Sequence, residues 1–139
     1  MKRQLQNIIP THINWAAWEA LIEENGITID RPLASSHPDY SDIIYPINYG
    51  YINNTLSSDG EEVDIFCGSA TNKLVALIQT ADFRKGDREI KMIYNCTPAE
   101  VYLVNGFINF APELMQGELV MRRPMKELWS EELRVPNVE

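Results

Sequence analysis

The residues of this sequence whose types and spacing could do chemistry are acidic. Asp59, Glu61 and Asp64 lie at positions i, i+2 and i+5, where a turn leads into an apolar segment. Asp82 and Asp87 form a second pair across a short Gly-containing turn. Hard cations such as Mg²⁺ bind one or two carboxylates each and otherwise keep water or take phosphate oxygens. Two adjacent ions could lower the pKa of a shared water and hold a phosphoryl group for in-line attack.

The same acidic residues have a plainer interpretation. Asp-Gly is a common tight hairpin turn, which would leave Glu61 and Glu62 as a solvated edge. Asp82 and Asp87 could serve loop solubility and capping. The stretch is not an EF-hand loop, because Asp64 stands at the sixth position from Asp59, where that loop requires Gly. The spacing alone leaves the metal site and the solvated turn both open.

Other catalytic chemistries have less support in the sequence. His12 and His37 are the two histidines, and Cys67 and Cys96 lie far apart without CxxC spacing. A His-based metal site or a Ser-His or Cys-His nucleophile is therefore not expected. Too few cysteines are present for a disulfide framework, which favours two reduced, buried thiols in a cytoplasmic protein.

Composition limits the partners. The chain has 139 residues, 12 basic and 20 acidic, and a formal net charge of −8. An acidic surface repels phosphate backbones, so nucleic acid is not an expected partner. No run of residues is long and apolar enough to cross a membrane, and no signal peptide is evident. We therefore predict one soluble, cytoplasmic domain over residues 1–139 with no membrane partner.

The periodicity of apolar residues predicts the elements that must position the acidic residues. Asn14 can cap a helix over 14–25, with Trp15 and Trp18 on its core face. Thr97 and Glu100 match a capping box, which predicts a helix over about 97–110. The remaining predicted elements are strands at 27–29, 63–66, 74–79, 89–94 and 118–121, an extended segment at 43–52 and a terminal helix at 126–134. Together they predict an α+β fold whose centre, about 27–94, is a small closed or curled antiparallel β-barrel with peripheral helices.

The run just before the first acidic group is Tyr45-Pro46-Ile47-Asn48-Tyr49-Gly50-Tyr51-Ile52, and Asp59-Gly60-x-x-x-Asp64 follows it. Together they resemble the signature of the family I soluble inorganic pyrophosphatases, Tyr-Pro-x-Asn-Tyr-Gly-Tyr-Ile followed by Asp-x-Asp-x-x-Asp. Asp82 and Asp87 keep the spacing of that family's second acidic pair. The resemblance covers roughly residues 26–94 and is closest to a short, divergent bacterial branch.

The resemblance implies Mg²⁺-dependent hydrolysis of pyrophosphate, or of a related phosphoanhydride, by a metal-activated water, with Mn²⁺ as a further candidate ion. It also implies a homo-oligomer rather than a monomer. The implied metal ligands are Asp59, Asp64, Asp82 and Asp87. The implied catalytic residues are Glu61, at the position of the family's water-activating aspartate, together with Tyr49 and Asp64. The implied substrate-binding residues are Tyr45 and Tyr49, and Arg31 and Lys91 are candidate cations for phosphate.

The sequence departs from the family pattern mainly in its cations. The segment between Asp30 and Tyr45 is too short for the family's hairpin with its Lys, Glu and Arg, and the late Tyr-Lys pair has no evident counterpart. The family's Lys after the last acid is here Glu89, and Lys91, on the same strand face, could replace it only if the strand slides. Glu61 is one methylene longer than Asp, and a misplacement of about an ångström can cost on the order of a hundredfold in rate.

Two alternatives therefore stay beside the enzyme. The first is a catalytically impaired relative that binds metal and phosphate, a nucleotide or a protein partner, which the missing cations favour. The second is an oligonucleotide-binding barrel, against which the acidic balance argues.

Near the C-terminus, Trp129 with Leu128 and Leu133 could form a subunit contact or a docked tail.

Overall fold

The computed structural model of the protein describes residues 12–57 and 59–134. Its strands form one mixed sheet in the order β1-β2-β3-β5-β4-β6. The strands are β1 (Ile27–Arg31), β2 (Asn48–Ile52), β3 (Val63–Cys67), β4 (Leu74–Asp82), β5 (Asp87–Tyr94) and β6 (Met115–Met121). The helices are α1 (Trp15–Asn25), α2 (Pro98–Asn109) and α3 (Met125–Arg134).

The sheet differs from the predicted antiparallel barrel in one strand pair and in not being closed by hydrogen bonds in the described structure. β5 turns back from β4 and inserts between β4 and β3, so that β3 and β5 run parallel with Asp64 opposite Lys91. The other pairs are antiparallel. In the part of the chain that the structure describes, β1 and β6 end the sheet without pairing with each other. The α+β class is confirmed, whereas the sheet is mixed and its hydrogen bonds do not close a barrel.

Local capping explains where the first two helices begin. The Asn14 side chain accepts a hydrogen bond from the Ala17 backbone N–H at 3.1 Å, and α1 ends at Gly26 with φ +80°. At α2, Thr97 accepts from the Glu100 backbone N–H and the Glu100 carboxylate accepts from the Thr97 backbone N–H, which completes the capping box. These contacts satisfy backbone N–H groups that a helix terminus otherwise leaves unpaired.

The core lies on both faces of the sheet. β4 is buried along its whole length, which accounts for its apolar run from Leu74 to Ile78. Alternate residues of each strand point to opposite faces, so Phe66 and Ile78 pack in one cluster with α2, and Ile65 and Leu77 in another with α1. Trp18 packs against the second cluster, as predicted.

The C-terminal helix contributes to both core and surface. Leu128 is buried in the cluster that includes α2, whereas Trp129 keeps 38% of its surface exposed. The Trp129 indole N–H lies 3.5 Å from the Tyr102 hydroxyl, and the two rings are tilted neighbours. The side chain of Leu133 lies outside the described residues.

The two predicted thiols are free cysteines, Cys96 buried and Cys67 partly buried. Burial raises the pKa of the Cys67 thiol to about 11, which keeps it protonated at neutral pH. Among the described residues, no helix is long and apolar enough to span a membrane.

Gly50 is the glycine of the tyrosine-rich run, and its position tests the packing of β1 on β2. A Cβ there would lie 1.9 Å from the Thr28 carbonyl oxygen and 2.8 Å from the Ile29 Cα. We expect Gly50→Ala to lower the free energy of unfolding by about 1–3 kcal/mol or more, because backbone must move to admit the methyl group. Urea unfolding followed by circular dichroism measures this change.

Gly106→Ala is the matched control for that substitution. Gly106 lies within α2, and apart from the helix's own backbone and the two chain neighbours no atom of the described residues lies within 4 Å of a Cβ built there. Because Ala favours a helix over Gly by roughly 1 kcal/mol, this variant should be at least as stable as the parent chain. Equal losses from both substitutions would contradict the close approach of β1 and β2.

Candidate active site

The candidate site is the polar continuation of one core face of the sheet. On β5, residues two apart share a face, so Asp87, Glu89 and Lys91 follow one another along it and then give way to buried Ile93. The parallel pairing of β3 with β5 sets Asp64 beside Lys91. Carboxylates and an ammonium are thus brought to one place by strand register.

Lys91 occupies the centre of this group, and only 9% of its side chain is exposed. Its Nζ donates to Asp64 Oδ2 at 2.7 Å and to the Tyr49 hydroxyl at 2.9 Å, and lies 3.5 Å from Glu89 Oε1. Burial acts to lower the pKa of Lys91, but the facing Tyr49, Asp64 and Glu89 raise it above its usual value. Lys91 is therefore a charged ammonium with a fixed set of partners.

The partners of Lys91 are themselves shifted in acidity. Burial raises the pKa of Glu89 to about 7, against the pull of Lys91, and the carboxylates of Asp64 and Asp59 raise it further. Burial also raises the pKa of the Tyr49 phenol above its usual range, so Tyr49 keeps its proton at neutral pH. The site is therefore crowded with negative charge that one buried ammonium offsets only in part.

Three carboxylates lie close together next to Lys91 and its partners. Ligand oxygens of Asp59, Asp87 and Glu89 all lie within 4.8 Å of one another. Oδ1 of Asp87 is buried without a hydrogen-bond partner in the described structure. The ammonium of Lys85, on the turn between β4 and β5, lies 4.0, 3.5 and 3.9 Å from Asp59, Asp87 and Glu89 respectively. The Lys85 ammonium is thus attracted to the point where the three carboxylates lie close together.

This donor set fits a hard divalent cation. All of its ligand atoms are carboxylate oxygens, which Mg²⁺ and Mn²⁺ prefer, and an unpaired buried oxygen needs a partner. The Lys85 side chain is 55% exposed and can move aside. The residues of the site therefore fit the metal that the sequence resemblance implies.

The structure does not bring all the predicted metal ligands into this group. Asp59 and Asp87 belong to it, whereas Asp64 faces Lys91. The Asp82 carboxylate accepts the backbone N–H groups of Arg84 and Lys85 at 3.0 and 3.2 Å and caps the turn. Although burial acts to raise the pKa of Asp82, these hydrogen bonds lower it.

Glu61, the predicted water-activating residue, is exposed at the rim of the site. Its backbone N–H donates to Asp59 Oδ1 at 3.0 Å, and the Ser57 hydroxyl donates to the same oxygen. These hydrogen bonds, with that of Ser57 the strongest influence, lower the pKa of Asp59. Asp59 is therefore ionised and oriented at neutral pH.

Aromatic rings and Arg31 also contribute to the site. Arg31 donates to the Tyr45 hydroxyl at 2.5 Å, and its guanidinium lies 5.6 and 5.9 Å from the ring centroids of Tyr45 and Tyr49. The two tyrosine rings stack with centroids 5.1 Å apart. The predicted substrate-binding residues Tyr45, Tyr49, Arg31 and Lys91 therefore lie together.

These groups surround one cavity of about 730 Å³. That volume lies within the range of small-molecule sites, about 300–1,000 Å³. Its charged lining includes Arg31, Asp59, Glu61, Asp64, Asp82, Arg84, Lys85, Glu89 and Lys91. Tyr45, Tyr49, Phe107 and Phe110 contribute aromatic surface. The cavity thus has charged groups that can receive a cation and an anion, together with apolar surface.

Sequence reasoning missed Glu89 as a site residue. The resemblance predicts a cation at this position, whereas the spacing of Asp87 and Glu89 places two carboxylates on one face of a strand. Lys91 contacts Asp64 across the regular β3–β5 register. Whether Lys91 replaces the family's Lys stays a prediction.

Comparison with known proteins identifies the family to which this chain is similar. The family model for inorganic pyrophosphatase matches residues 14–102. Inorganic pyrophosphatases of Haemophilus ducreyi and of Escherichia coli strain K12 are each 26% identical over 120 residues, which is 80% of this chain and 65% of theirs. That of Yersinia pestis is 39% identical over 57 residues, 41% of this chain and 29% of its own. The chain thus spans about 65% of the length of the longer matches.

Solved structures agree with this at the level of the fold. The crystal structure of an inorganic pyrophosphatase from Neisseria gonorrhoeae matches with a TM-score of 0.55 and 13% identity, over 79% of this chain and 88% of that one. An inorganic phosphatase from Anaplasma phagocytophilum matches with a TM-score of 0.50 and 17% identity, over 73% and 86% of the two chains. With the motif, the sheet and the matched residues in agreement, the chain belongs to the inorganic pyrophosphatase family, as a divergent member.

Proposed function

We propose that this chain hydrolyses pyrophosphate, or a related phosphoanhydride, to phosphate in a reaction that depends on Mg²⁺ or Mn²⁺. The observation that carries the proposal is the convergence of Asp59, Asp87 and Glu89 beside a cavity lined by Tyr45 and Arg31. Such a site pairs a place for a hard cation with a place for an anion, which is what phosphoryl transfer requires. Family membership supports the reaction class.

Asp59, Asp87 and Glu89 would hold the divalent cation. When bound, such an ion supplies charge neutralisation for phosphate oxygens and a lower pKa for water. Asp59 is ionised and held by Ser57, and Oδ1 of Asp87 lacks another partner in the described structure. Burial raises the pKa of Glu89 to about 7, and a nearby positive charge would favour its ionised form.

The other residues of the cavity have separate proposed roles. The Arg31 guanidinium, positioned by Tyr45, would attract and orient the anion. Glu61 lies at the rim, where its carboxylate can accept a proton from water. Tyr49 would orient the substrate through its protonated phenol, and Asp64 would act through Lys91, which it holds in place.

A second candidate is binding of pyrophosphate or a nucleotide without turnover. It is favoured by the way in which the cations around the cavity are engaged in the described structure. Lys91 contacts three partners, Lys85 lies on the carboxylates, and Arg84 pairs with Asp82 at 3.5 Å. A transition state that gains little positive charge from the protein is accelerated less.

Metal removal tests the proposed reaction. We expect the wild-type chain to release phosphate from pyrophosphate with Mg²⁺, to stop when a chelator is added, and to resume when Mg²⁺ is restored. Phosphate release is followed colorimetrically, and pyrophosphate binding is measured by calorimetry in the same buffers. Metal-dependent binding by folded protein without phosphate release would contradict the enzyme and support the second candidate.

A further inference from the structure

The carboxylate of Asp64 faces an ammonium that the fold itself supplies. β3 and β5 pair Asp64 with Lys91 in register, so the strand backbones fix the approach of the two side chains. Nζ of Lys91 lies 2.7 Å from Asp64 Oδ2, and the Lys91 side chain is 9% exposed. The Asp64 side chain is 25% exposed, so this partly buried contact is screened less by salt and water than an exposed ion pair would be. The ammonium is therefore a lasting part of the site.

Each proton of the Lys91 ammonium has an acceptor nearby. It carries three protons, and three acceptors lie around it: Asp64, the Tyr49 hydroxyl and, at 3.5 Å, Glu89. The Tyr49 ring also faces it, with Nζ 5.4 Å from the ring centroid. Any cation that approached Asp64 would meet this positive charge at short range, in surroundings that weaken repulsion far less than water does.

We infer that Lys91 occupies the place of a second divalent cation, an inference that rests on the proposed function. The sequence predicts enough carboxylates for two adjacent ions, with Asp64 as a ligand. In the structure Asp64 is neutralised by Lys91, and the remaining convergent group is Asp59, Asp87 and Glu89. The substrate-free chain therefore holds one divalent cation next to one built-in monovalent charge.

Lys85, in contrast to Lys91, is an exchangeable counter-ion. It lies on an exposed turn, and its three carboxylate contacts are 3.5–4.0 Å long. Its side chain is 55% exposed, against 9% for Lys91. Exposed ion pairs are worth little, so a divalent cation can displace Lys85 from the three carboxylates. The same ion could not displace Lys91 without breaking buried hydrogen bonds.

Counting bound Mn²⁺ tests the inference without any reference to catalysis. The free Mn²⁺ signal in electron paramagnetic resonance is titrated against the full chain in the absence of pyrophosphate and phosphate. We expect one Mn²⁺ per chain in the wild type and still one in Asp64→Asn, whose amide oxygen can accept from Lys91. Lys91→Met should bind a second ion, and Lys73→Met, which alters an exposed ion pair, should keep one.

Two tight Mn²⁺ ions in the wild type, one of them lost in Asp64→Asn, would overturn the inference. No bound ion in the folded wild type would instead contradict the carboxylate group of the proposed function, and the inference with it. Circular dichroism establishes that each variant is folded. If Lys91→Met does not fold, the wild-type and Asp64→Asn titrations still decide the number of ions.

Discussion

Replacing Asp87 by Asn is expected to reduce Mg²⁺-dependent phosphate release by at least about hundredfold, since even outer partners of metal ligands cost 10–100-fold when removed. Asp87 lies in the convergent carboxylate group, and its Oδ1 is buried without another partner in the described structure. The substitution keeps the shape of the side chain and removes its charge. It also relieves repulsion among neighbouring carboxylates, so stability should change little.

Asp42→Asn is the control for that experiment. Asp42 is exposed and belongs neither to the cavity lining nor to the convergent carboxylate group, so the same chemical change and the same change in net charge occur outside that group. Initial rates across a range of Mg²⁺ concentrations separate weaker metal binding from slower turnover. An Asp87→Asn variant as active as Asp42→Asn at every Mg²⁺ concentration would exclude Asp87 from the metal group.

Replacing Lys91 by Met is expected to lower the free energy of unfolding by about 3–5 kcal/mol, the usual cost of removing one partner from a buried ion pair. The substitution leaves the Asp64 and Glu89 carboxylates beside each other and removes the donor to the Tyr49 hydroxyl. Methionine fills a similar volume, so the loss would come from charge rather than from a cavity. Urea unfolding at neutral pH measures it.

Lys73→Met provides the comparison for Lys91. The Lys73 ammonium also lies 2.7 Å from a carboxylate, that of Glu23, but both side chains are largely exposed. Water competes for such a pair, and its removal should shift the urea midpoint little. Similar shifts for the two variants would show that Lys91 is not the buried, fixed charge described above.

The elements that local sequence controls could be predicted. The capping box of Thr97 and Glu100 and the apolar run from Leu74 are each read from a few neighbouring residues, and the structure confirms both. The parallel pairing of β3 with β5 could not be predicted in this way. It arises because the β4–β5 hairpin folds back so that β5, rather than β4, lies beside β3.

The composition of the candidate site depends on that same non-local pairing. Spacing and resemblance identified Asp59 and Asp87, but they could not show that Asp64 would contact Lys91. Glu89 could have been recognised from period-two alternation with Asp87 and Lys91, had it been considered as an added carboxylate. The roles of these residues, and one domain over 1–139, stay predictions.

Substitution of Glu89 tests the central claim most directly, because the resemblance and the structure make opposite predictions for this residue. Glu89→Lys restores the residue type that the resemblance implies, yet in this structure it removes a carboxylate from the convergent carboxylate group and adds a charge beside Lys91. The most direct measurement is phosphate release from pyrophosphate by folded wild type, Glu89→Lys and Glu89→Gln in Mg²⁺. We expect both variants to lose activity. Release by Glu89→Lys that equals or exceeds that of the wild type would contradict the account.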